Sequence, residues 1–158
     1  MRSMPKSTAR ALIRDLCRSP YFRGLAEKVF EEMSVFFRES SCGKGSIILK
    51  EGSRARRLFI LSQGTVALSI HRGKGELITE IVKKKGDLFG WSALVSPRKY
   101  TATAKALENS RVLSVEGKDM ERLFKRHPSL GLLFLQRLCS LIATRLHHTR
   151  SLLAETLS

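Results

Sequence analysis

From Gly86 to Ala104 the chain reads Gly-Asp-Leu-Phe-Gly-Trp-Ser-Ala-Leu-Val-Ser-Pro-Arg-Lys-Tyr-Thr-Ala-Thr-Ala, the stretch with the most chemistry to offer. Gly86 and Gly90 flank an apolar turn, a segment able to start a helix follows, and Arg98 stands directly behind Pro97. A helix start presents unpaired backbone N–H groups and the positive end of the peptide dipoles, and a guanidinium opposite it can grip phosphate oxygens. The pattern predicts an anion site built from the Gly90–Ala93 backbone and Arg98. The ligand-binding candidates are Phe89, Gly90, Trp91, Ser92, Ala93, Pro97, Arg98, Lys99, Tyr100 and Thr101. Trp91, the single tryptophan, has three readings open: core packing, stacking on a ligand ring, or plugging an empty pocket.

Catalytic and metal chemistry find no such pattern. His71 and His127 are isolated, and His147 and His148 are adjacent, so on a helix they point about 100° apart and do not converge on one ion. Ser92 lies in a glycine-flanked turn but has no identifiable base, and no phosphate loop or paired carboxylates stand out. The expectation is a binding protein, not an enzyme, with no metal.

The elements that must hold this stretch are legible around it. Helical patterns cover Thr8–Arg18 and Leu25–Phe37, the latter with Leu25, Val29, Met33 and Phe36 three and four apart. Short β-type runs follow over Ser46–Leu49, Arg57–Ser62, Thr65–His71, Glu76–Val82, Tyr100–Ala106 and Arg111–Val115, with Gln63-Gly64 and Gly73-Lys74-Gly75 as hairpin turns. A short helix over Gly117–Arg126 and a long one over Ser129–Leu157, with Ser129 as N-cap, close the chain. The fold class is mainly β with flanking helices. The expected division is a helical segment over 1–45, a β-roll over 46–116 and C-terminal helices over 117–158.

These blocks together resemble the cyclic-nucleotide-binding domain family, most closely the sensor half of Crp/Fnr-type regulators. Phe89, Gly90, Ala93, Leu94, Pro97, Arg98 and Thr101 match its phosphate-binding cassette. Glu51-Gly52 and Leu58-Phe59-Ile60-Leu61-Ser62-Gln63-Gly64-Thr65-Val66 match its upstream pattern. The resemblance implies a β-roll (jelly roll), a dimer, and cyclic AMP or cyclic GMP as ligand. Two positions depart from it. Trp91 stands where the family places a glutamate for the ribose hydroxyl, and Tyr100 replaces a small alanine beside the phosphate. Losing a charged hydrogen bond of roughly 1.5–3 kcal/mol would weaken a cyclic nucleotide by about 10- to 150-fold.

The long helix is apolar on more than one side, which calls for more than one partner. Leu135, Leu138, Ile142, Arg145, Thr149 and Leu152 take an a/d spacing and are the expected homodimer seam. A monomer whose N-terminal helices cover that second face is the alternative. The helix is interrupted by Arg137 and Arg145, so no membrane span is expected; three widely spaced cysteines suit a reducing cytoplasm. With no helix–turn–helix read after the long helix, sequence-specific DNA binding is not expected.

Twenty-nine Lys and Arg against 14 Asp and Glu give a net charge of +15. Arg2, Lys6, Arg10, Arg14 and Arg18 would form a basic ridge on a helix. The sequence thus points to a stand-alone sensor of a cyclic nucleotide or related phosphate ligand that signals to a protein partner. A degenerate dimerisation or docking module is the alternative, and non-specific nucleic-acid binding through the basic surface a third reading.

Overall fold

The computed structural model describes Arg14, Cys17 and residues 19–158. The helix expected over Thr8–Arg18, and with it the basic ridge, lies outside the described residues apart from Arg14 and Cys17. Helix α1 (Glu27–Ser34) precedes strands β1 (Arg38–Cys42), β2 (Ile47–Leu49), β3 (Arg57–Gln63), β4 (Val66–Arg72) and β5 (Gly75–Val82). Then come β6 (Leu88–Phe89), a 3-10 turn (Trp91–Leu94), β7 (Thr103–Ala106), β8 (Ser110–Glu116), α2 (Gly117–Arg126) and α3 (Pro128–Leu157). The strands form two four-stranded antiparallel sheets, ordered β1-β8-β3-β6 and β2-β7-β4-β5, which make up the expected roll.

Strand periodicity explains why β3 is a continuous apolar run. Successive side chains alternate faces, so Phe59 and Leu61 enter the core between the sheets while Leu58 and Ile60 face the helices. Strand β6 divides the same way: Phe89 goes inside, stacked on Phe59 with centroids 5.4 Å apart, and Leu88 goes outside. The helical side is filled by Phe22, Met33, Met120, Leu123, Phe134 and Leu138. Helices α1 and α2 and the first half of α3 are thereby seated on the outer face of the first sheet. The α2–α3 junction is tied to α1 by His127 Nε2, 2.9 Å from Glu32 Oε2. That hydrogen bond, more than the nearby Arg126, holds the Glu32 carboxyl below its ordinary pKa.

Three expectations need correction. The roll begins at Arg38, inside the stretch expected to be helical, because β1 pairs with β8 over Arg38–Cys42. Its sequence, Arg-Glu-Ser-Ser-Cys, is an edge strand with no apolar alternation to betray it. Gln63-Gly64 is not a hairpin turn, since β3 and β4 belong to different sheets. Gly64 takes φ +96° there, and a Cβ would stand 2.2 Å from Ser110 Oγ, so only glycine fits this crossing. Helix α3 starts at Pro128, with His127 rather than Ser129 at the N-cap; proline suits the first helical position, where an N–H has no helical partner.

By length and composition α3 would pass as a membrane span, a test that a core helix of a soluble protein also passes. Leu130, Phe134 and Leu138 are buried against the roll. Leu146, Leu152, Leu153 and Leu157, further along, are exposed.

Candidate ligand-binding site

A cavity of about 440 Å³ opens between α3 and the second sheet, closed at one end by the Gly90–Ala102 connection. Its volume falls within the ordinary range for small-ligand pockets, roughly 300–1,000 Å³. Leu49, Leu68, Ile70 and Leu141 make the walls mostly apolar. Thr144, Arg145, His148 and Thr149 of α3 and Thr79 and Glu80 of β5 supply polar groups.

The connection carrying the sequence candidates is held by backbone geometry. Gly90 turns left-handed at φ +76° and leads into the 3-10 turn, in which Ser92 and Ala93 are buried. The Tyr100 ring packs in the core between the sheets. Its O–H donates to Arg57 O at 2.8 Å and accepts from Arg57 N–H at 3.2 Å. Burial pushes the Tyr100 phenol above its ordinary pKa, although the backbone hydrogen bonds with Arg57 act against the shift. This residue fastens the connection to β3 as well as lining the cavity.

Of the ten candidates, Gly90, Trp91, Ser92, Tyr100 and Thr101 line this cavity. Phe89 and Ala93 lie behind it in the core, while Pro97 and Lys99 are exposed, Lys99 bridging Arg54. Arg98 is elsewhere. It adopts φ +57°, its carbonyl accepts from Ala55 N–H at 2.8 Å, and its guanidinium pairs with Glu121 of α2. There it borders a separate hollow with Arg54, Arg56 and Lys118. The backbone of the short turn and Arg98 are therefore not brought together on one side of the cavity.

The seam candidates on α3 also divide. Leu138 is buried in the chain's own core and Ile142 packs partly against it, Arg145 and Thr149 face the cavity, and Leu135 and Leu152 are exposed. Arg145 and Glu80 are the cavity's ion pair, with Arg145 Nε 2.7 Å from Glu80 Oε1. Burial raises the Glu80 carboxyl above its ordinary pKa, and Arg145 opposes that rise. The Arg145 guanidinium also lies 4.6 Å from the centre of the Trp91 ring, over its face. Sequence reasoning placed Arg145 at a helix seam and passed over Glu80; the only available signal was an arginine interrupting an apolar helix.

The sequence pattern of the Cyclic nucleotide-binding domain family matches residues 39–127, more than half of the chain. The chain belongs to this family. It is 28% identical to the Cyclic AMP receptor protein of Thermus thermophilus over 81% of its length. It is 32% identical to the Global nitrogen regulator of Synechocystis sp. over 84% of its length. It spans 57% of the length of each of these two relatives. The fold superposes on a cyclic nucleotide-binding domain from Methylobacillus flagellatus with a TM-score of 0.80, covering 98% of this chain and 86% of that one, at 15% identity. As a cyclic nucleotide-binding domain, the chain has the fold of a sensor or regulator, and the family is regulatory rather than enzymatic.

Proposed function

We propose that this chain is a cytoplasmic regulatory sensor whose cavity binds a cyclic nucleotide or related phosphate-bearing ligand and whose α3 helix passes that occupancy to a protein partner. The observation that carries the reading is that α3 itself forms one wall of the cavity. An occupant therefore contacts the roll and the helix together, and differential affinity for two helix positions is what a ligand needs in order to shift their populations. Trp91 lines the cavity and is the only tryptophan, so its emission reports entry. Titrating cyclic AMP, cyclic GMP and cyclic dinucleotides should change that emission. Ligand at 100 times its Kd should stabilise the fold by about 2.7 kcal/mol, raising Tm by roughly 5–10 °C. Emission and Tm that stay flat to millimolar ligand would remove this reading.

A second reading is favoured by one specific observation. Arg98 is engaged by Glu121 rather than facing the cavity, an arrangement that also suits a domain that binds no nucleotide and serves as a dimerisation or docking module. In either reading we propose a homodimer, with Leu135, Leu146, Leu152 and Leu153 of α3 covered by the second copy. Light scattering of the purified chain should then give twice the chain mass, and the monomer mass at micromolar concentration would dismiss the dimer.

A further inference from the structure

The cation inside the cavity comes from α3, not from the cassette. Arg145 has its Nε at 2.7 Å from Glu80 Oε1, and its Nη2 donates to Leu88 O at 3.2 Å. Its side chain is only 17% exposed, and its buried Nη1 has no hydrogen-bond partner among the described residues. A guanidinium offers five N–H donors in a planar fork suited to two acid oxygens. Here the fork sits on Trp91, joins α3 to β5 and β6, and keeps donor capacity unused.

Glu80 is an unfavourable permanent partner for it. The carboxylate is drawn into a largely apolar wall, where desolvation works against its charge, and Asp87 adds further repulsion. A half-buried pair of this kind adds little net stability, because desolvation offsets part of the attraction and solvent screens the rest. The same fork would serve an incoming acid group equally well, and Glu80, on the edge strand β5 and 30% exposed, has solvent to move into.

We propose that Glu80 is an internal stand-in for the ligand's acid group: a monoanionic ligand displaces it, takes the Arg145 fork on Trp91, and so loosens the tie between α3 and β5. This rests on the reading that the cavity takes an anionic ligand, and it assigns the anion to Arg145 rather than Arg98. Two sources share the required chemistry, a cyclic phosphodiester and an aromatic carboxylate.

The test is a titration of cyclic AMP and, separately, of 2-naphthoate into the wild-type chain and the variants Glu80→Gln, Arg145→Gln, Arg145→Lys and Arg98→Gln, followed by calorimetry. Glu80→Gln keeps the shape of the competitor and removes its charge, so it should tighten binding of the accepted probe by at least about tenfold. That gain should vanish in the double variant with Arg145→Gln. Arg145→Lys, which keeps the charge but not the fork, should bind more weakly than wild type, and Arg98→Gln should bind about as well as wild type. A gain with 2-naphthoate alone supports the displacement and assigns the carboxylate as its source. Unchanged or weaker binding by Glu80→Gln overturns the proposal. Cyclic AMP binding that is lost in Arg98→Gln and kept in both Arg145 variants also overturns it while leaving the sensor reading intact. Binding of neither probe to the wild type or to Glu80→Gln removes both.

Discussion

Phe134→Ala is expected to lower stability by about 3–5 kcal/mol, as other large-to-small changes of fully buried aromatic rings do. The Phe134 ring has no exposed surface, and both Phe22 and Phe124 lie with ring centroids 5.4 Å from it. Phe22 belongs to the turn before α1 and Phe124 to α2, so this one side chain joins α3 to both. Neither neighbour can collapse into the gap without leaving its own contacts, and the cavity cost adds to the lost transfer energy. At roughly 2–4 °C per kcal/mol for a chain of this size, Tm should fall by roughly 6–20 °C. Chemical denaturation provides the check. Leu157→Ala, at a site 79% exposed and outside the proposed seam, is the control and should stay within about 0.5 kcal/mol. A loss of under about 1 kcal/mol for Phe134→Ala would mean that α3 is not seated as described.

Gly117→Ala should also be destabilising, for a different reason. Gly117 begins α2 directly against the 3-10 turn, where an added Cβ would stand 2.4 Å from Ala93 O and 3.2 Å from the Ala93 carbonyl carbon. Both obstacles are backbone, so no rotamer change relieves them. On the other side the Gly117 N–H donates to Arg56 O at 2.8 Å, which keeps α2 from backing away. Forcing one methyl into such a site costs about 1–3 kcal/mol. The turn that must yield carries Trp91 and Ser92, both on the cavity wall. The variant should therefore shift Trp91 emission in the absence of any ligand, whereas Leu157→Ala should not. Equilibrium unfolding followed by fluorescence measures both quantities, and wild-type stability with wild-type emission would show that α2 and the turn are not in contact.

These two sites mark how far local sequence reaches. The apolar run of β3, the helical spacing of Gly117–Arg126 and the cassette residues could be read directly, because each is a local pattern imposed by burial on one or both faces. Strand β1 could not, because an edge strand with half-exposed polar side chains obeys no hydrophobic alternation. Nor could β6, whose two residues take their strand character from pairing with Phe59 and Ile60. Gly64 looked like a hairpin turn because the residues suited to a tight turn also suit a crossing between sheets.

The site divides along the same line. The sequence by itself determined the family, the roll and the stretch that closes the cavity, since those depend on residue types at short spacing. Only the tertiary structure decided which charges meet. It set Arg98 against Glu121 on α2, and it set Arg145 on Trp91 beside Glu80, partners that no local pattern connects. The physical reason is that burial leaves a periodic trace along the chain. An ion pair between distant residues leaves none until the folded backbone brings its two ends within a few ångströms.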